Sequence, residues 1–327
     1  MLPVGCCPSG VAHRVFREET NRQPAVSPAL LRLRQYQGHI QEGHLSSRAK
    51  TKRCRLVGGS ERLADGGTPP IQHTKLPSLE LCHMRGVILA AGDGGRLRPL
   101  TDSQPKVLLP VQERPLISYP LRALVSQGIT EIAIVVGYRA RQVTEALENC
   151  APRDCSLEFV YNPDYEEGNA LSLRAARDFV GDDPFILCMG DHIIEPALIS
   201  MVLAARPAAT TLVVDSEASL ESQLNDATRV LIDGDNRLVR IGKRLRRWNA
   251  VDTGVFRFTP DVFSTVDDLY EHRGNGLELN DVMRFRAAHA PHVDTCDASG
   301  LFWTDVDTVE DYRSAERQVE QRDGLRL

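Results

Sequence analysis

Arg96 and Lys106 are suited to handling phosphate, and Asp191 with the later pair Asp305 and Asp307 to holding a metal ion beside it. Gly92-Asp93-Gly94-Gly95-Arg96-Leu97 follows directly on the apolar run 87–91. Glycines let a backbone approach a ligand closely and adopt positive φ, so that consecutive amide N–H groups converge on phosphate oxygens. Arg96 closes the glycine run, and Lys106 follows within Pro105-Lys106-Val107-Leu108-Leu109-Pro110. A guanidinium grips a phosphate through two donors, whereas an ammonium supplies a compact point charge. Two cations beside an amide nest suit a triphosphate that is attacked at its α-phosphorus and releases pyrophosphate. The run is neither GxxxxGK[ST] nor a GxGxxG that opens a helix, which sets it apart from P-loops and dinucleotide fingerprints. The acids come later. Asp191 ends Phe185-Ile186-Leu187-Cys188-Met189-Gly190, and Asp305 and Asp307 lie in Phe302-Trp303-Thr304-Asp305-Val306-Asp307-Thr308. A carboxylate at the carboxyl end of a strand, on the ligand side of an open sheet, is placed to hold Mg²⁺, a hard ion that seeks oxygen.

The elements that must position these groups follow from hydrophobic patterning. Strand-length apolar runs at 86–91, 131–136, 157–161, 185–189 and 210–214 alternate with helical patterns at 116–127, 140–148, 170–179 and 196–205. That alternation predicts an α/β fold, a Rossmann-like, mostly parallel mixed sheet flanked by helices. From about residue 228 the texture changes. Shorter strands are expected at 227–232, 237–242 and 250–258, with Asp233-Gly234-Asp235-Asn236 as a turn, giving a small β-rich part. Asn280 is expected to cap a helix over 281–289, and Thr308 one over 309–319.

Bulk properties narrow the function classes. The chain has 327 residues, 42% hydrophobic and 25% charged, with a formal net charge of −5. Nothing there suggests general binding to nucleic acid or to acidic membranes, and the apolar runs fall far short of the ~20 residues that span a bilayer. The eight cysteines are scattered without a CxxC pair, which reads as free thiols in a reducing cytoplasm. Residues 1–83 stand apart. They are rich in Arg, Gln, Ser, His and Pro and lack any sustained period. No secretory signal is expected, because no apolar segment follows Met1. A transit peptide is a weak third reading, because Glu18, Glu19, Glu42 and Glu61 break its acid-poor pattern. The expectation is a misplaced start, with the machinery occupying 84–327 from Met84; a disordered extension is the other reading.

The stretch LAAGxGxRLxPLTxxxPKxLLPV resembles the signature of the sugar-phosphate and alcohol-phosphate nucleotidyltransferases. The resemblance implies that Leu89, Ala90, Ala91, Gly92, Asp93, Gly94 and Gly95 wrap the nucleotide while Arg96 and Lys106 contact its phosphates. It pairs Asp191 with Asp305 as the ligands of Mg²⁺. Relatives often carry glycine where this chain has Asp307, which leaves Asp307 the weaker candidate. Between strand and helix, the family's base-reading positions fall on Asn162 and Gly168, with Asn169 and Ser172 beside them. An amide edge suits a pyrimidine, although Asn162-Pro163 equally reads as a turn and Asn169 as a helix cap. Lys243 falls on the lysine that meets the acceptor's phosphate. Arg244, Arg246 and Arg247 read as surface, or as sensors of acceptor charge. Asp252, Thr253 and Gly254 fall on the strand facing the acceptor's hydroxyls, or simply start that strand.

MGDH, IGKxLR, VDTG and WxDVDTxED together are most similar to the inositol-1-phosphate cytidylyltransferases. The resemblance implies CTP and inositol 1-phosphate as small-molecule substrates. It implies no nucleic acid and no stable membrane insertion. Bifunctional relatives carry a membrane-embedded phosphatidyltransferase after this domain, so the expected protein is a stand-alone form with that enzyme as a separate chain. Phosphocholine or sugar-1-phosphate nucleotidyl transfer is the nearest alternative, and a regulatory subunit without catalysis the more distant one. The sequence leaves the oligomeric state open.

Overall fold

The structure, a computed structural model, describes residues 84–206, 209–218, 226–289, 292–322 and 325. Residues 1–83, and with them the expectation of a start at Met84, lie outside the described residues. In chain order the elements are β1 (Arg85–Ala90), the short ribbon β2 (Pro110–Val111) and β3 (Arg114–Pro115), α1 (Ser118–Ser126), β4 (Glu131–Val136) and α2 (Ala140–Cys150). Then come β5 (Ser156–Tyr161), α3 (Asn169–Ala175), α4 (Arg177–Val180), β6 (Phe185–Met189), β7 (His192–Ile194) and α5 (Pro196–Ala204). β8 (Thr211–Asp215), β9 (Arg229–Ile232), β10 (Leu238–Ile241) and β11 (Ala250–Phe258) follow without an intervening described helix. The chain closes with α6 (Val262–Arg273), α7 (Leu279–Ala288), β12 (Asp294–Asp297), β13 (Trp303–Asp305) and α8 (Val309–Glu320).

The main sheet has nine strands, ordered β10-β9-β11-β6-β1-β4-β5, with β8 beside β11 and β12 beside β8. β1, β4, β5 and β6 run parallel, whereas β11 is antiparallel to β6, β8 and β9. This is the mixed, helix-flanked sheet that the pattern predicts. β1 shows why its sequence is apolar throughout. Val87 and Leu89 face a core completed by α3, α6 and α7, while Ile88 and Ala90 face one completed by α1, α2 and α5. A strand covered on both sides has no polar face to alternate with. A third cluster, with Leu97, Leu109, Ile193, Phe302, Val306 and Val319, seats α8 against the loop that leaves β1.

Local detail departs from expectation in two places. The helix expected at 170–179 is divided at Ala176. Asn280 is not a cap: α7 starts one residue before it, with Glu278 at the N-cap and a reciprocal box to Asp281. The Asn280 amide instead donates to Thr228 Oγ1 at 3.2 Å. Thr308 does cap α8, accepting from the Asp311 N–H at 3.2 Å while Asp311 accepts from the Thr308 N–H at 2.8 Å.

Candidate active site

The glycine loop leaves the carboxyl end of β1 and turns back through residues 95–97, with the Leu97 N–H donating to Gly94 O at 3.0 Å. Leu97 is fully buried and pins the turn into the third core. Gly94 sits at φ 68, and a Cβ there would lie 2.5 Å from the Cβ of Lys106. Loop and lysine are therefore packed directly against each other. Asp93 is exposed and accepts the Gly95 N–H at 3.2 Å, which closes the turn on itself.

Lys106 is buried, and its ammonium meets Asp191 Oδ2 at 2.7 Å and also donates to Asp307 Oδ1. Burial works against that charge, but Asp191 and Asp307 outweigh it and hold the lysine above its ordinary range. Arg96 donates to Asp307 Oδ2 at 2.5 Å and to Asp226 Oδ2 at 2.5 Å. The same Asp226 oxygen accepts from Lys243 Nζ at 2.8 Å. The result is one chain of alternating charge: Lys243, Asp226, Arg96, Asp307, Lys106, Asp191 and then His192, whose Nδ1 lies 2.7 Å from Asp191 Oδ1.

A short ribbon explains how acids so far apart in sequence meet. β13 pairs antiparallel with β7, setting Asp305 opposite His192, and the Val306 N–H donates to Asp191 O at 3.1 Å. Trp303 anchors the ribbon, its buried indole N–H donating to Asp215 Oδ2 at 2.9 Å. Burial raises Asp191 while Lys106 and His192 lower it, and the cations win: Asp191 stays below the usual carboxylate range. Asp305 differs. Burial, reinforced by Asp307 and Asp191 against the pull of His192, pushes its carboxyl up to about 6. Its carboxylate has no hydrogen-bond or ion-pair partner among the described residues.

Two adjoining clefts open here. The first, about 480 Å³, is lined by Leu89, Ala90, Ala91, Gly92 and Asp93 from the loop, by Lys106, and by Gly168, Asn169 and Ser172. The second, about 520 Å³, holds Arg96, Lys243, Asp252, Gly254, Asp305 and Asp307. Asp191 and Asn169 line both. Gly94 and Gly95 line neither cleft; they sit behind Asp93 and Lys106.

Asn162 and Thr253 require correction. Asn162 is buried, its amide donating to Ser172 Oγ at 3.0 Å and accepting from the Asp164 N–H at 3.0 Å, so it reaches the first cleft only through Ser172. Thr253 is fully buried, donates to Val213 O at 2.9 Å and lines neither cleft. Asp252 does face the second cleft, accepting from the Gly254 N–H at 2.8 Å; burial pushes its carboxyl up to about 6. Gly254, at φ 75, leaves room for the His192 ring, which a Cβ would approach to 2.5 Å.

Sequence reasoning gave no role to His192 or Asp226 and too little to Asp307. His192 stood in plain view in the MGDH stretch, whereas Asp226 carries no local signal. As to metal, no three His, Cys, Asp or Glu side chains converge to hold an ion among the described residues. Asp191 with the unpartnered Asp305 offers two hard oxygen donors. That fits Mg²⁺, which usually takes one or two carboxylates and completes its shell with substrate phosphates and water.

Residues 85–322 match the model of the family described as Nucleotidyl transferase. The bifunctional IPC transferase and DIPP synthase of Rubrobacter xylanophilus is 34% identical over 233 residues, covering 71% of this chain and 51% of that protein. Its counterpart in Thermococcus kodakarensis is 32% identical, covering 72% and 50%. The chain thus spans about half the length of these curated relatives. Among solved structures, the inositol-1-phosphate CTP transferase from T. maritima superposes with a TM-score of 0.64 at 28% identity, covering 73% of this chain and 97% of that one.

Proposed function

The chain belongs to the nucleotidyl transferase family, and from that premise we propose that it transfers CMP from CTP to inositol 1-phosphate, giving CDP-inositol and pyrophosphate. The observation that carries the reading is the charge chain. Arg96 and Lys106 stand beside the loop that would wrap the nucleotide, and Lys243 stands in the neighbouring cleft, joined to them through Asp226. The likeness to proteins named for IPC transfer and for inositol-1-phosphate CTP transfer supports the choice of base and acceptor.

In this reading the first cleft takes CTP, and its phosphates displace carboxylates from Arg96 and Lys106. Asn169 and Ser172 face the base, with Asn162 holding Ser172 in place. The second cleft takes the acceptor, its phosphate on Lys243 and its hydroxyls toward Asp252. An acceptor phosphate is already an anion, so no general base has to deprotonate it. Its oxygen bonds to the α-phosphorus in line as the bond to the bridging oxygen breaks, and the electron pair leaves on pyrophosphate. Mg²⁺ on Asp191 and Asp305 would neutralise charge on the transferring phosphate. CDP-inositol is an activated head group for phospholipid synthesis. The four cysteines of the described residues are free thiols, which suits the cytoplasm.

Pyrophosphate release by the full chain tests this, with four nucleoside triphosphates set against the phosphates of inositol, choline, glycerol and hexoses. Turnover confined to CTP with inositol 1-phosphate is expected. Preference for UTP or dTTP with a hexose phosphate would refute base and acceptor together.

A further inference from the structure

Between β10 and β11 the chain runs through residues 242–249, Gly-Lys-Arg-Leu-Arg-Arg-Trp-Asn. Its first two residues line the acceptor cleft, and the rest do not. Arg244, Arg246 and Arg247 are exposed and have no ion-pair or hydrogen-bond partner among the described residues. Trp248 is 39% exposed, one of the few large hydrophobic side chains left open to solvent. Elsewhere the described arginines are commonly engaged: Arg85, Arg96, Arg174, Arg177 and Arg284 all pair with carboxylates.

This loop is not loose chain that happens to carry charge. The Leu245 N–H donates to Gly242 O at 3.2 Å, and the Asn249 N–H to Val230 O at 3.0 Å. The Asn249 side chain bonds both the N–H and the C=O of Ile232, at 2.8 and 3.0 Å. From below, Arg229 donates to Leu245 O at 3.1 Å and sets its guanidinium 5.6 Å from the Trp248 ring centroid. The backbone is fixed while three cations and an indole are presented outward. Trp248 is partly exposed beside three guanidinium groups that make no ion pair among the described residues, an amphipathic patch suited to a charged boundary.

We propose that the 242–249 loop docks this protein onto an anionic phospholipid surface, with Arg244, Arg246 and Arg247 supplying the attraction and Trp248 seating at the interface. Arginine and tryptophan are the side chains suited to that boundary, one for lipid phosphates and the other for the headgroup layer. The formal net charge of −5 does not oppose it, because at physiological salt charges act over roughly 8 Å and the surface meets the local cluster. A protein partner fits less well. One indole on a charged loop is far from the apolar core of a stable interface, whereas a bilayer demands no shape complementarity. Because the loop begins with Gly242 and Lys243, docking would hold the mouth of the acceptor cleft toward the lipid.

Co-sedimentation of the full chain with phosphatidylcholine vesicles, with and without phosphatidylglycerol, tests the proposal. The chain has two tryptophans, of which Trp303 is buried, so a blue shift of fluorescence on adding vesicles reports Trp248. The expected result is binding and a blue shift with anionic vesicles only, both reversed by high salt. Replacing Arg244, Arg246 and Arg247 together by alanine should weaken binding on the order of 100-fold, and Trp248→Phe should remove the fluorescence shift. Turnover of soluble substrates should stay unchanged in both variants. Equal binding to neutral vesicles would overturn the proposal. So would binding that survives the triple substitution, which would move it to residues 1–83. A single-stranded oligonucleotide that competes fully with the vesicles would reassign the loop to nucleic acid.

Discussion

A Cβ on Gly94 would stand 2.5 Å from the Cβ of Lys106, so the phosphate loop and the lysine behind it are shaped against one another. Gly94 also sits at φ 68, where a side chain is strained whatever the space. Gly94→Ala is expected to cost about 1–3 kcal/mol of stability and to push Lys106 aside, raising the KM for nucleotide by roughly tenfold. At Gly95 a Cβ would meet only the Asp93 carboxylate, at 3.2 Å, so Gly95→Ala should be the milder change by both thermal melting and KM.

Lys106 bridges two acids, Asp191 and Asp307, whose other close partners are His192 and Arg96. Lys106→Met should lose about 3–5 kcal/mol by leaving Asp191 and Asp307 facing each other, and kcat/KM should fall by at least about 100-fold. Adding Asp307→Asn removes one of the two neighbouring negative charges. Stability should then recover in part while turnover does not. Strict additivity of the two changes in denaturant melts would count against the ion-pair account.

Asp252 gives a pH dependence of definite sign. Burial raises its carboxyl to about 6 in the folded chain, so the fold holds that proton more tightly than the unfolded chain does. The contribution to stability is complete below about pH 4 and is lost as pH rises through about 6. Asp252→Asn stays neutral and keeps an oxygen for the Gly254 N–H. The variant should therefore be more stable than the native protein by about 2 kcal/mol near pH 8, with the gap closing near pH 4. Urea melts at the two pH values decide it.

If Asp191 and Asp305 hold Mg²⁺, chelation should abolish pyrophosphate release and Mg²⁺ should restore it. Asp305→Asn should raise the Mg²⁺ concentration needed for half-maximal turnover. Direct titration of Mg²⁺ in the presence of CTP should weaken in parallel, a readout independent of catalysis. Turnover indifferent to chelator would remove the two-carboxylate assignment.

Much of this was legible in the sequence because it is local. β1, β4 and β6 read as continuous apolar runs because helices cover both of their faces. The glycine loop announced itself through a short spacing to Arg96. β7 and β13 are three residues each, too short to show a period, and β12, Asp-Thr-Cys-Asp, carries no apolar alternation at all. The roles of Asp226 and Asp307 are made only by folding: the β7–β13 ribbon and the start of β9 bring them onto Arg96. Asn162 and Thr253 mislead in the opposite direction. Both are polar residues near ligand-facing segments, but interior hydrogen bonds already satisfy them.

The alternating chain from Lys243 to His192 has the charge arrangement of an ion exchanger. Each cation already has a carboxylate counterion fixed to the protein, so the site presents little net positive field to the surrounding solution. A triphosphate would therefore not be drawn in from a distance. On the proposed function it would enter at contact, by displacing Asp226, Asp307 and Asp191 from their partners, and an anion with too few charges to complete that displacement would be turned away. Selectivity for a polyanion would in this way precede any reading of base or hydroxyl.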